Sequence, residues 1–172
     1  MDLKNAIQNR HSVRSFSSKK PSDELIIDFI KLANLAPSAG NLQARDFIIV
    51  EDIKTKKELS EAALNQEFIV EAPVNIVVCA NLSRISSYGK RGSELYCIQD
   101  SAAAVEHILL LAVDNGLGAC WVGAFNEYEV SKALGLPSHI RPVAIIPIGY
   151  PQGKVTSTSR MDIKKLIHYN KW

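Results

Sequence analysis

The chain has 172 residues, a length that fits one domain and allows roughly 70% of the surface of the unfolded chain to be buried. Its 20 Lys and Arg residues against 18 Asp and Glu residues give a net charge of +2. This is far from the basic excess with which proteins displace counterions from nucleic acid, so the composition excludes a polyanion-binding class. Small local clusters of cations could still bind a phosphate group.

The chain contains three cysteines, Cys79, Cys97 and Cys120. Their number is odd and they have no CxxC spacing, which argues against a disulfide framework and against a zinc site. The N-terminus has no apolar segment of the kind found in secretory signals, and apolar stretches such as 74–80 and 143–148 are far shorter than the ~20 residues that cross a bilayer. We therefore expect a cytoplasmic protein with no metal and no membrane contact.

Helix and strand periodicities alternate through the first half of the chain. The predicted elements are a helix from about Leu3 to Asn9, a helix over 22–36 with Ser22 as N-cap, a strand over 47–50, a helix over 54–64 and a strand over 74–80. The segment 83–93 is rich in Ser, Gly and Arg without periodicity, which predicts a mobile surface loop and a candidate lid.

The second half begins with a predicted helix over 98–115 whose apolar residues lie on nearly every side. Such a helix must be covered all round, which favours a second copy of the chain over the alternative, a central helix in a monomer. A helix over 126–134, a strand over 142–148 and a tail ending on Trp172 follow, and we expect the tail to dock on another surface. The order of elements has no strict βαβ rhythm and no Gly-rich phosphate fingerprint, so an α+β sandwich is favoured over a Rossmann domain.

Two polar segments in the first half are candidate ligand sites. Two guanidinium groups and a hydroxyl occur together in Arg10-His11-Ser12-Val13-Arg14, and this set suits a monophosphate, although a solvated basic turn has the same composition. In 37–43, the Ser38 hydroxyl and the Asn41 amide have the donors and acceptors to bind the edge of a flat heterocycle. A simple helix stop explains the second segment equally well.

Two further segments lie in the second half. Small residues after Gly116, a predicted helix C-cap, would let a ligand ring approach the backbone near Gly123, while a buried strand tip is the alternative. Cys120 has no His or Asp partner pattern and is expected to pack as an apolar residue. Lys154 or Arg160 could complete the charge around a phosphate, or could be ordinary surface cations.

Taken together, these segments resemble the FMN-dependent nitroreductase family in its short form, over nearly the whole chain. The resemblance rests on five motifs in the family's order: R-H-S-V-R, A-P-S-A-G-N-L-Q, N-Q-E-F-I-V-E-A-P, G-L-G-A-C-W-V-G, and I-G-Y-P followed by S-R-M. It implies that 1–172 is a single FMN-binding domain, a three-layer sandwich with a central mixed β-sheet flanked by helices, built as an intertwined homodimer. In place of the family's frequent Pro after the second motif, this chain has Ala44 and Arg45.

The resemblance also implies roles for individual residues. Arg10, His11, Ser12 and Arg14 would bind the phosphate and ribityl chain of FMN, together with Arg160. Ser38 and Asn41 would come from the other subunit. Asn65 and Gln66 would face the flavin, and Val122 with Gly123 would lie against its N5 edge.

The function implied is hydride transfer from NADH or NADPH, through flavin N5, to an electron-poor small molecule such as a nitroaromatic or a quinone, with ping-pong kinetics. No catalytic acid or base is required, because the flavin carries the redox chemistry. Three alternatives stay open on the sequence: a flavin-binding or storage protein without turnover, a dehalogenating or flavin–oxygen enzyme on the same scaffold, and a helical-core domain without a cofactor.

Overall fold

A four-stranded sheet lies at the centre of the chain in the computed structural model, which describes residues 1–153 and 158–172. The strands are β1 (Arg45–Val50), β2 (Val74–Asn81), β3 (Gly118–Ala119) and β4 (Ile140–Gly149), and they lie in the order β1-β2-β4-β3. All three pairings of these strands are antiparallel. The sheet is therefore antiparallel and not mixed as expected, and the parallel pairing from Ser12 to Ala119 is an isolated bridge outside the strands.

The helices are α1 (Leu3–Asn9), α2 (Asp23–Ala33), α3 (Ile53–Ala62), α4 (Phe68–Glu71), α5 (Gly89–Arg91), α6 (Cys97–Asp114) and α7 (Glu127–Leu134). Four of them, α1, α2, α3 and α7, start at a capping residue, because an Asx or Ser side chain accepts a backbone N–H of the first turn. Ser22 accepts from the Leu25 amide, and Asn126 accepts from the amides of Tyr128 and Glu129. Both N-caps were predicted and both are confirmed.

The two faces of the sheet bury different helices, which gives three layers. Alternate residues of a strand point to opposite faces, so Val74, Ile76 and Val78 pack with α2 and α6 on one side. Val77 and Cys79 pack with α3 and α7 on the other. Every residue of β2 is buried, as expected for a central strand covered on both faces. The predicted α+β sandwich is confirmed.

The long helix α6 covers the sheet with one side only. Eight of its residues are buried, whereas Ala103, Leu110, Leu111 and Val113 are only partly covered. The continuous helical segment Ser86–Asp114 has the length and hydropathy of a membrane-crossing helix. The buried side of α6 packs against β2 and β4, and this is how a core helix of a folded domain behaves.

The segment 83–93 differs from its prediction as an irregular loop. It forms a 3₁₀ turn (Ser86–Tyr88), then α5, then a π-helical turn (Gly92–Tyr96) that leads directly into α6. Ile85 is fully buried and Gly92 packs under Tyr88. Apolar periodicity was too weak to predict these turns, because only a few of their residues face the core.

The C-terminal tail has a single 3₁₀ turn, Ile163–Lys165, and its large apolar side chains are exposed. Tyr169 is 86% exposed and Trp172 is fully exposed, and the His168 and Trp172 rings stack on each other. The tail therefore finds no docking surface on its own chain in the part that the structure describes.

Candidate functional site

The first predicted segment runs as an extended chain beside the end of the sheet. The Val13 amide donates to the Ala119 carbonyl at 3.0 Å, and Val13 itself is buried. Since side chains alternate along an extended backbone, Ser12 and Arg14 both point away from Val13, and both are exposed. The fold thus places a hydroxyl and a guanidinium side by side on the surface.

The cations of this segment lie near enough to Cys120 to act on its thiol. Burial raises the pKa of Cys120, while Arg14, Ser12 and Arg10 lower it by smaller amounts through charge and hydrogen bonds. The thiol therefore stays protonated, in agreement with a packing role. Among residues 1–153 and 158–172, neither Arg10 nor Arg14 forms an ion pair with a carboxylate.

The segment before α4 reaches the same region. The Arg14 guanidinium lies 5.9 Å from the centre of the Phe68 ring, within the range of a cation–π contact. The Gln66 amide donates to the Ala63 carbonyl at 2.8 Å and to the Ala124 carbonyl at 3.4 Å. Asn65 is exposed and has a left-handed backbone, with φ of 58°. Side chains from 65–68 therefore border both Arg14 and the loop that carries Gly123.

Val122 and Gly123 differ in what they can offer a ligand. Val122 is buried, and its N–H and C=O both bond to Ile145 at 3.0 Å. Gly123 is exposed, and in the described residues no backbone partner is found for its N–H. A Cβ at Gly123 would meet only Trp121, at 3.8 Å. Of the two, Gly123 has the free amide, and Val122 anchors the loop to β4.

His11 lies on the other side of the extended segment. Its Nδ1 is 2.5 Å from the Asn9 carbonyl, and its ring lines a cavity of about 280 Å³ with Val13, Gly118 and Pro151. Arg160 forms hydrogen bonds only with Thr158 and Ser159 among the described residues, and none of them joins it to the Arg10–Arg14 segment. Lys154 lies outside the described residues.

Ser38 and Asn41 form a separate group. They belong to the loop 37–43 between α2 and β1, where the Ser38 hydroxyl accepts the Gln43 amide at 3.0 Å. The Gln43 side chain donates to Asn41. No hydrogen bond of the described residues joins this loop to the Arg10–Arg14 segment. One chain therefore carries two groups of predicted site residues that do not meet within it.

Sequence reasoning assigned no role to two features of this region. Phe68 lies inside the motif N-Q-E-F-I-V-E-A-P, but its place against Arg14 depends on the packing of α4. Arg45 is only 2% exposed and donates five hydrogen bonds beside the loop 37–43. The sequence did not indicate that Arg45 is buried, because a charged residue at the start of a strand is usually exposed.

The geometry can be compared with known proteins. The sequence profile described as "Nitroreductase family" matches residues 7–67 and 61–150, which include both groups of predicted residues except Arg160. This chain belongs to the nitroreductase family.

Relatives of the family match over nearly the whole chain. A protein of Archaeoglobus fulgidus, provisionally named NADH dehydrogenase/NAD(P)H nitroreductase, is 36% identical over 173 residues, covering 96% of each chain. A Bacillus subtilis protein named FMN reductase (NADPH) is 28% identical over 95% of this chain and 72% of its own length.

Solved structures of the family agree with the fold. The structure of B. megaterium NfrA2 superposes with a TM-score of 0.92 at 27% identity, covering all of this chain and 76% of that one. A nitroreductase family protein from Clostridium novyi gives a TM-score of 0.81 at 32% identity, with 88% and 86% of the two chains covered. The nitroreductase-like sandwich predicted from the motifs is confirmed.

Proposed function

We propose that residues 1–172 form one FMN-binding domain that acts as a homodimer and transfers hydride equivalents from NADH or NADPH to an electron-poor small molecule, such as a nitroaromatic or a quinone. Family membership and the names of its relatives support this activity. The observation that carries the proposal is the pair of guanidinium groups, Arg10 and Arg14, that lie beside Ser12 without a carboxylate partner in the described residues.

The donor set fits a flavin mononucleotide. A phosphate monoester needs cations and hydroxyl donors, and the rigid fork of an Arg matches its oxygens. Arg10, Ser12 and Arg14 supply these at one place, held there by the Val13–Ala119 hydrogen bond. His11 and Arg160 are proposed to extend this group, Arg160 once the tail has docked.

The flavin ring would lie beyond the phosphate, toward the loop 122–124. Bound FMN would supply the hydride-accepting and hydride-donating chemistry, so no side chain has to act as acid or base. The N–H of Gly123, which has no backbone partner among the described residues, would donate to the ring, and Val122 bonds this loop to Ile145 of β4. The polar side chains of Asn65 and Gln66 would border the ring from the α4 side.

A second copy of the chain completes the site in this proposal. Ser38 and Asn41 do not reach the Arg10–Arg14 segment within one chain, so they would contact the cofactor of the partner. The uncovered side of α6 continues into a groove of about 410 Å³ lined by Leu3, Leu32, Leu35, Leu110 and Leu111. Leu3 and Leu35 are 67% and 76% exposed, and exposed apolar groups of this size mark protein contacts. The exposed tail offers a further apolar surface for the same interface.

The test begins with the purified protein and its visible spectrum. A yellow protein that releases FMN on denaturation, and that oxidises NADH or NADPH continuously with a quinone or nitroaromatic, is the expected result. A protein that is reduced once and then stops would be a flavin binder without turnover. A protein that stays colourless after addition of FMN would contradict the proposal. We propose a cytoplasmic location, to be checked by cell fractionation.

Variants test the phosphate group directly. Arg10→Ala and Arg14→Ala should each weaken FMN binding by about tenfold or more, because a charge-assisted hydrogen bond contributes roughly 1.5–3 kcal/mol. Lys54→Ala is the matched control, since Lys54 is an 84% exposed cation on α3. Full flavin occupancy in both Arg variants would refute the assignment.

A further inference from the structure

The loop 37–43 has an unusual backbone that something must hold in place. Three of its residues have left-handed conformations: Gly40 with φ of 56°, Asn41 with 54° and Gln43 with 44°. Glycine tolerates such angles, but Asn and Gln do so at a cost in conformational energy. A loop of this kind keeps its shape only where surrounding contacts impose it.

Asp100 on α6 makes one of these contacts. Its Oδ1 accepts the backbone N–H of Ala39 at 2.9 Å, and Ala39 lies between Ser38 and the left-handed residues. Asp100 is 5% exposed, and its Oδ2 is buried without a hydrogen-bond partner in the described part of the chain. A buried carboxylate with one unpaired oxygen costs free energy of folding, and this one lies directly beside the loop.

Arg45 holds the start of the loop. Its guanidinium donates to the carbonyls of Asn34 (2.8 Å), Ala36 (2.6 Å) and Pro37 (3.3 Å), which are the free carbonyls after the end of α2. It also donates to the backbone carbonyl of Asp100 at 2.8 Å, which ties the start of the loop to α6. Burial lowers the pKa of Arg45, and the charge of Asp100 opposes this effect.

Resting on the proposed function, we infer that Asp100 and Arg45 are positioning residues that preset the loop 37–43, so that Ser38 and Asn41 meet the flavin bound by the partner subunit. Neither residue has to touch the flavin. The Ser38 hydroxyl oxygen is occupied by the Gln43 amide, which leaves its O–H free to donate to a ligand. The Asn41 side-chain N–H groups are likewise directed by the Gln43 contact.

The inference predicts a difference between two changes at one position. Asp100→Ala removes the acceptor of the Ala39 amide and should raise the FMN dissociation constant by about tenfold, the effect of misplacing one or two polar contacts. Asp100→Asn retains an oxygen for the same amide and should stay within about threefold of the wild type. Comparing Asp100→Ala with Asp100→Asn thus tests the hydrogen bond to the Ala39 amide and not the charge of Asp100.

Ser101→Ala is the matched control. Ser101 is the next residue on α6, is fully buried and donates to the Cys97 carbonyl at 2.8 Å, with no hydrogen bond to the loop among the described residues. Ser101→Ala should bind FMN like the wild type, even if its urea midpoint is lowered as much as that of Asp100→Ala. A loss of FMN affinity in Ser101→Ala equal to that in Asp100→Ala would overturn the inference, because destabilisation of α6 alone would then explain both.

The experiment titrates apo dimer with FMN, following the quenching of flavin fluorescence and the visible circular dichroism of the bound flavin. Should Asp100→Ala not fold, Asp100→Ala combined with Arg45→Met removes both buried charges together, a replacement that proteins often tolerate. That double variant should fold and bind FMN about tenfold more weakly or worse. If the wild type binds FMN and either Asp100→Ala or the double variant binds FMN with the same affinity, this inference alone is overturned. Failure of the wild type to bind FMN overturns the proposed function as well.

Discussion

Gly118 offers a sharp test of how closely the extended segment approaches the sheet. A Cβ built on Gly118 would lie 2.6 Å from Val13 Cγ2, 2.7 Å from Val13 Cβ and 2.8 Å from Val13 Cγ1. Distances below 3.0 Å do not occur for real Cβ atoms, so Gly118→Ala requires movement. Rotation of the β-branched Val13 side chain cannot relieve the contact, because its Cβ is itself too close. The backbone that carries Ser12 and Arg14 must therefore shift.

The expected size follows from this overpacking. Extra methyl groups in tightly packed regions typically cost about 1–3 kcal/mol, and we expect Gly118→Ala to lose this much free energy of unfolding. Gly123→Ala is the control for stability, since its Cβ would meet only Trp121 at an ordinary distance of 3.8 Å. It should change the free energy of unfolding by less than about 0.5 kcal/mol.

The assay is urea unfolding at one fixed protein concentration, because the stability of the proposed dimer would depend on concentration. The combination of Gly118→Ala with Val13→Ala provides the decisive comparison. It removes both Cγ atoms but keeps the Val13 Cβ, so the double variant should be less stable than Val13→Ala alone. Equal stability of the double variant and of Val13→Ala would refute the reasoning, since the conflict would then involve the Cγ atoms alone. On the proposed function, Gly118→Ala should also weaken FMN binding.

Three further results are expected. Lys56, 7% exposed, donates to the Ala72 carbonyl, and burial lowers its pKa below 10.5. Between the folded-state pKa and about 10.5 the unfolded chain binds more protons than the folded one, so the stability of the wild type relative to Lys56→Met should rise with pH up to about 10.5 and then stay level. Urea midpoints measure this difference, and a difference that does not change with pH would contradict the prediction. Asn126→Ala removes the N-cap of α7 and should cost about 1 kcal/mol in the same assay, with no change disproving the capping role. The three cysteines are buried, and burial raises the pKa of Cys79 to about 12, so a thiol reagent should label none of them in the native protein and all three in urea.

The secondary structure was largely predictable because its signals are local. Capping residues and apolar periodicity placed α1, α2, α3, α6 and α7 within a few residues of their observed ends. Buried β-branched runs placed β1, β2 and β4 in the same way. The turns over 86–96 and the short helix α4 were missed, since segments of three to five residues carry too few positions to show a period.

The candidate site was predictable as motifs and not as an arrangement. The sequence alone determined which residues have donors suited to a phosphate, because Arg and Ser have those donors in any fold. Only the tertiary structure decided that Arg14 lies against Phe68, that Val122 is closed off while Gly123 is free, and that the loop of Ser38 lies apart. The physical reason is distance along the chain: contacts such as Arg45 to Asp100 join residues 55 positions apart, and no local pattern encodes the packing that brings them together.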